Sequence, residues 1–172
     1  MFEKIGEGTF SKVYRGQALH GDRAVVALKR LTPCSTGRRF LNEVVALHKL
    51  GGQHHVISII DGLRVGHHFT MILPYFEHQH FKDYFQKMTL KPTQEYMKAL
   101  FESLAHLHSH GVIHRDIKPS NFLHSFGTDR YMLIDFGLAQ YDPQSDIFDQ
   151  HFTAEDPDEE KPTQSTIRSD DL

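Results

Sequence analysis

The sequence predicts an α+β fold built as two lobes with a crevice between them. Three observations carry this. The first third alternates short β-branched runs with turn residues and contains a single helical segment. After Pro74 the apolar spacing switches to a helical one. A content of 39% hydrophobic and 24% charged residues, with 13 Phe, suits a soluble globular chain that can fill a core.

The elements follow in order. Residues 2–6 and 12–15 flank a glycine-rich turn and read as a hairpin. Residues 24–29 form a β-branched run suited to a third strand. Residues 38–50 place Phe40, Val44 and Leu47 at helical spacing, and Gly51-Gly52 ends that helix. Residues 56–60 and 68–73 read as two more strands, with Asp61-Gly62 as the turn signal. Residues 81–88 then read as a short helix. Residues 93–110 read as a long one, with Tyr96, Leu100, Leu104 and Leu107 on one face and Gly111 as the stop. Two short strands, near Phe122-Leu123 and over residues 131–134, bracket the loop 125–130.

Charge divides the chain. Of its 19 basic and 22 acidic residues, residues 142–172 hold two and ten, a net of −8. Residues 1–141 therefore carry +5. A mildly basic body suits an anionic ligand. The segment 142–172, with three prolines and few large apolar residues, is predicted to be disordered, because it buries too little to offset its ordering entropy. No apolar run approaches the roughly 18 residues of a membrane span. Met1-Phe2-Glu3-Lys4-Ile5 lacks the pattern of a secretory signal. Cys34 is the only cysteine, which excludes an internal disulfide and a paired-cysteine zinc site and fits a reducing compartment.

Five motifs carry chemistry. Gly6-Glu7-Gly8-Thr9-Phe10-Ser11-Lys12-Val13 has glycines that let a backbone approach phosphates, although by itself it describes a plain hairpin equally well. In Val26-Ala27-Leu28-Lys29, Ala27 and Lys29 share one strand face, so a flat base fits beside an ammonium that reaches a phosphate. A solvated lysine at a strand end is the plain alternative. Glu43 falls on the inward face of its helix, where a carboxylate needs a cation, and Lys29 is the natural partner. A helix-edge glutamate reaching water is the plain reading. Ile113-His114-Arg115-Asp116-Ile117-Lys118-Pro119-Ser120-Asn121 places a carboxylate, a lysine and an amide within six residues on one loop. Phosphoryl transfer needs that set: an orienter of the attacking hydroxyl, a cation for developing charge and a metal ligand. Leu133-Ile134-Asp135-Phe136-Gly137 ends an apolar strand on an aspartate suited to magnesium, or simply makes a turn.

Together, in this order, the five motifs resemble the eukaryotic protein kinase family over residues 5–140. The resemblance implies a protein-kinase-like bilobal fold: a five-stranded N-lobe with one helix, αC, over about residues 1–76, and the beginning of a helical C-lobe over 77–141. It also implies the cofactors ATP and Mg2+. Ile5, Gly6, Glu7, Gly8, Thr9 and Phe10 would belong to the loop over the phosphates, and Val13 and Ala27 would sandwich the adenine. Lys29, anchored by Glu43, would hold the α- and β-phosphates. Leu73 would be the gatekeeper, with the Pro74 carbonyl and the Phe76 N–H at the hinge. Asp116 would orient the substrate hydroxyl and accept its proton, and Lys118 would steady the transferred phosphate. Asn121 and Asp135 would hold magnesium. Leu47, Ile59, His114 and Phe136 would stack as a column between the lobes. Lys118, two residues after Asp116, is similar to serine/threonine rather than tyrosine kinases.

Within the family the chain resembles the Dbf-dependent, cell-division-cycle kinases that start DNA replication. Lys4 to Tyr14, Leu73-Pro74-Tyr75-Phe76-Glu77-His78, and Ile134-Asp135-Phe136-Gly137-Leu138-Ala139-Gln140 carry this. Casein kinase 1 relatives are the rival, since they share an Ile-Lys-Pro-x-Asn-Phe-Leu loop. The resemblance implies a Dbf-type regulatory subunit as partner, substrates with serines in acidic contexts in the replicative helicase, and a nuclear location. It implies no direct nucleic-acid or membrane binding. No Ala-Pro-Glu follows Asp135-Phe136-Gly137, and the acidic segment reads as the start of a kinase insert. The expectation is therefore a partial kinase domain. Its alternative function is that of a weak or inactive fragment that binds ATP or the regulatory subunit. His106 and His110, four apart on a helix, are a minor candidate for metal binding.

Overall fold

The computed structural model describes residues 2–18, 23–32, 37–66 and 68–142. Pro33, Cys34 and almost all of the acidic segment expected to be disordered lie outside these residues.

A five-stranded antiparallel sheet forms the upper part, in the order β1-β2-β3-β5-β4. Its strands are β1 (Glu3–Glu7), β2 (Ser11–Gln17), β3 (Val25–Leu31), β4 (Asp61–Val65) and β5 (His68–Pro74). Alternation along β3 turns Ala27, Lys29 and Leu31 to the buried face. Helix α1 (Gly37–Leu50) covers that face with Phe40, Ala46, Leu47 and Leu50, and the Phe40 ring lies 4.9 Å from that of Phe69.

One strand sits elsewhere than the residue pattern predicts. Residues 56–60 make no strand, and Asp61-Gly62, read as a turn, begins β4. The apolar character of 56–60 has another cause. Val56 and Ile57 are buried against the second lobe, where the Leu133 N–H donates to the His55 carbonyl at 2.6 Å and the Ile57 N–H donates to the Leu133 carbonyl at 3.1 Å. Gly62 suits a strand here because a Cβ would come within 3.2 Å of the Phe40 ring.

Below the sheet, α2 (Phe81–Tyr84) tightens into a 3-10 turn over Phe85–Lys87 rather than continuing as one helix. Helix α3 (Leu90–Ser109) starts three residues earlier than expected. Pro92 falls in its first turn, where a missing N–H costs nothing. Tyr96, Ala99, Ser103 and Leu107 are its buried stripe, with Leu100 packed partly against the same core. Gly111 adopts φ 68° and turns the chain out of α3. Two small ribbons follow. Strand β6 (Val112–Ile113) pairs with β9 (Gln140–Tyr141), and β7 (Phe122–Ser125) pairs with β8 (Arg130–Leu133). Two-residue strands such as β6 and β9 carry no periodicity, so the sequence did not announce them. One core runs through both parts, from Leu31 and Phe40 to Leu107, Phe122 and Phe136. No helix among the described residues is long and apolar enough to cross a membrane.

Candidate active site

The crevice between the sheet and the helical part has a volume of about 400 Å³, within the range of small-molecule sites. Its roof is β1, β2 and β3, its back is α1, and its floor is the loop from Lys118 to Asn121 with Leu123, Ile134 and Asp135.

At the back, Lys29 and Glu43 meet because strand alternation turns one inward and helix periodicity turns the other. The Lys29 Nζ donates to both Glu43 oxygens, at 2.6 and 2.9 Å, and to Asp135 Oδ1 at 2.6 Å. Side-chain exposure is 8% for Lys29, 2% for Glu43 and 42% for Asp135. Burial alone would lower the Lys29 pKa, but the two carboxylates outweigh it and hold the ammonium above its usual value. Burial raises the Glu43 carboxyl above the usual range despite Lys29. Burial opposes ionisation of Asp135 too, yet Lys29 and the Gly137 amide prevail and hold it below the usual range. The Phe136 N–H donates to Glu43 Oε1 at 3.3 Å. Asp135 itself has φ 68°, a left-handed conformation rarely adopted outside glycine, so its placement is held by its neighbours.

Along the floor, the Lys118 Nζ donates to Asp116 Oδ2 at 2.6 Å, and the Asn121 Nδ2 donates to the carbonyl and Oδ2 of Asp116, both at 2.9 Å. This fixes the Asn121 amide so that its oxygen is the remaining polar end. His114 supports the loop from below. Its Nδ1 accepts the Asp116 N–H at 3.3 Å, and its Nε2 donates to the Ile134 carbonyl at 3.0 Å. Both bonds together require a neutral ring with its proton on Nε2. Burial lowers the His114 pKa in keeping with that form. The His114 and Phe136 rings touch at 4.9 Å, and Leu47, Phe136 and the partly buried Ile59 belong to the same core.

Of the candidate residues, Ile5, Gly6, Glu7, Gly8, Val13, Ala27, Lys29, Glu43, Pro74, Phe76, Lys118, Asn121 and Asp135 line the crevice. Thr9 and Phe10, at the hairpin tip, do not, and Asp116 lies just outside the wall formed by Lys118 and Asn121. Residue reasoning missed the apolar Ile57, Leu123 and Ile134, and His78 and His80 at the rim. Leu123 and Ile134 had a usable signal, as apolar positions beside the two short strands. Ile57 had none, because only tertiary packing brings it there. His106 and His110 are engaged by backbone: His106 Nε2 with the Leu50 carbonyl at 3.0 Å, and His110 Nδ1 with the His106 carbonyl at 2.9 Å. No group of three or more His, Cys, Asp or Glu side chains among the described residues can hold a metal ion.

An ammonium clamped between two carboxylates and an Asp-Lys-Asn loop thus come together at one crevice beneath a glycine hairpin, the arrangement expected of a protein kinase. The protein kinase domain matches residues 1–155, and the chain belongs to that family. More particularly, it is similar to cell-division-cycle 7 kinases. It is 46% identical over 147 residues to the "Probable serine/threonine-protein kinase cdc7" of Dictyostelium discoideum, covering 84% of this chain and 14% of that protein. It is 41% identical over 140 residues to the "Cell division cycle 7-related protein kinase" of Mus musculus and of Homo sapiens, covering 80% of this chain and 25% and 24% of those proteins. The chain thus spans a quarter or less of the length of these relatives. The resemblance seen in the residues, to the kinase family and to its cell-division-cycle branch, is borne out.

Proposed function

We propose that this chain carries the catalytic centre of a protein serine/threonine kinase that transfers the γ-phosphoryl group of ATP to protein hydroxyls. The observation that carries the reading is that the Lys29–Glu43–Asp135 cluster and the Asp116–Lys118–Asn121 cluster adjoin one crevice, joined where the Ile134 N–H bonds the Asn121 carbonyl at 2.9 Å. Glu43 holds Lys29 in place, and the Lys29 hydrogen now given to Asp135 would pass to the α- and β-phosphates when nucleotide binds. Asp116 orients the substrate hydroxyl and takes its proton, and Lys118 offsets charge on the transferred group. Val13 and Ala27 would hold the adenine between them, with the Pro74 carbonyl and the Phe76 N–H as its hydrogen-bonding partners.

Asp135 and Asn121 offer the oxygen donors that a hard cation prefers, and the depressed pKa of Asp135 keeps it ionised. These residues fit Mg2+, which when bound neutralises charge on the phosphates. The similarity to cell-division-cycle kinases supports a role in the cell cycle. We further propose, from the family resemblance of the motifs, serines of the replicative helicase in acidic contexts as substrates, a Dbf-type regulatory subunit as partner, and a nuclear place of action.

The test is transfer of labelled phosphate to an acidic serine peptide, with and without the regulatory subunit. Asp116→Asn should reduce turnover by at least about 100-fold. Nucleotide binding without turnover in the parent chain would replace this reading with that of a binding fragment.

A further inference from the structure

We propose that Tyr141 is a positioning residue that couples the segment following Asp135-Phe136-Gly137 to the helix carrying Glu43, and thereby to the loop bearing Asp116. Tyr141 is 6% exposed, although it lies on a two-residue strand near the edge of the described fold. Its phenol donates to the carbonyl of Asn42, the residue immediately before Glu43 on α1, with the Ala46 amide beside it. A helical carbonyl already accepts the N–H four residues on, and its second lone pair remains for a phenol. Burial raises the Tyr141 pKa, so the group stays a donor.

The Tyr141 backbone reaches a third element. It pairs with Val112 on β6, two residues before His114, and the neighbouring Asp142 N–H donates to the Gly111 carbonyl at 2.7 Å. One residue therefore bonds the helix of Glu43 and abuts the root of the catalytic loop, and it sits six residues after Asp135.

Two polar ties between α1 and this segment converge on Glu43: the Lys29 bridge to Asp135 and the Phe136 N–H. Apolar packing of Phe40, Leu47 and Leu50 and the His106 bond to the Leu50 carbonyl seat the helix in the core, away from the polar ties at Glu43. A further polar tie at Asn42 fixes its rotation, and with it the direction in which Glu43 presents Lys29. The proposed kinase activity does not use Tyr141 directly, and only the last arm of the test rests on that activity.

Amide hydrogen exchange on the full chain tests the coupling. Tyr141→Phe keeps the ring and removes the donor. Exchange should quicken about fivefold across α1 while α3 and β7 keep their protection. Glu43→Gln tests the same coupling from the other end. By linkage, the Gln140 and Tyr141 amides should lose protection by a comparable factor, again with α3 unchanged. Unchanged α1 exchange in Tyr141→Phe overturns the proposal. So does a loss spread evenly over α1, α3 and β7, because that describes a packing defect. Neither readout needs turnover, so both stand if the kinase reading fails. Where turnover is measured, Tyr141→Phe should lower kcat about threefold or more with the KM for protein substrate unchanged. A change confined to that KM counts against the proposal.

Discussion

Lys29 shows how a single side chain depends on what surrounds it. An ammonium at 8% exposure is tolerable only because two carboxylates lie within 2.6 Å. Replacing Glu43 by Leu should destabilise the fold by about 1–3 kcal/mol, because Asp135 still pairs with Lys29. The double replacement Lys29→Met with Glu43→Leu should recover much of that loss, since no unpaired charge remains on that side; urea unfolding midpoints decide it. His114 makes a second prediction, with a definite sign. Its folded pKa is lowered by burial, so below about 6.5 the unfolded chain takes up a proton that the folded chain refuses. Stability should therefore fall as pH drops from about 7.5 to about 5.5. His114→Phe, though less stable at neutral pH, should show a shallower fall; an equal slope in thermal unfolding rules the assignment out. The pairing of Lys29 with Glu43 was legible in the sequence, because strand and helix periods both turn inward there. The addition of Asp135 to the pair was not, since 106 residues separate it from Lys29.

Among the elements, the turn after α1 leaves no room for a side chain at Gly51. A Cβ on Gly51 would run into the Leu47 carbonyl oxygen and lie 2.6 Å from the Ile57 carbonyl oxygen, both backbone atoms that cannot swing aside. Gly51→Ala should cost about 3 kcal/mol, at the upper end for overpacking. Gly127→Ala, where nothing lies within 4 Å, should change stability by less than about 0.5 kcal/mol. Differential scanning calorimetry of the two variants checks both. The helices and four of the five upper strands could be read from spacing. The strand placed at 56–60 could not, because an apolar run signals burial without saying in what form. Val56 and Ile57 are buried by crossing to the second lobe, and β4 takes the residues after them. The ribbon of β6 and β9 was equally hidden, being two residues long on each side.

For the whole molecule, the crevice couples ligand binding to stability. If ATP and Mg2+ bind across it, saturation at about 100 times Kd should stabilise the fold by about 2.7 kcal/mol. The rise in Tm should shrink sharply on chelation of the metal and in Lys29→Met. An equal shift without metal would argue against Asp135 and Asn121 as its ligands. The sequence by itself determined the lobe order, the family and many of the side chains that face the crevice, though not Ile57, Leu123 or Ile134. Those follow from local periods and from motif residues in a fixed order. Only the tertiary structure decided which distant groups touch: Asp135 on Lys29, Ile134 on His114, Tyr141 on Asn42. Each of these contacts spans the chain through the folded core, and no local pattern in the residues encodes a distance across it.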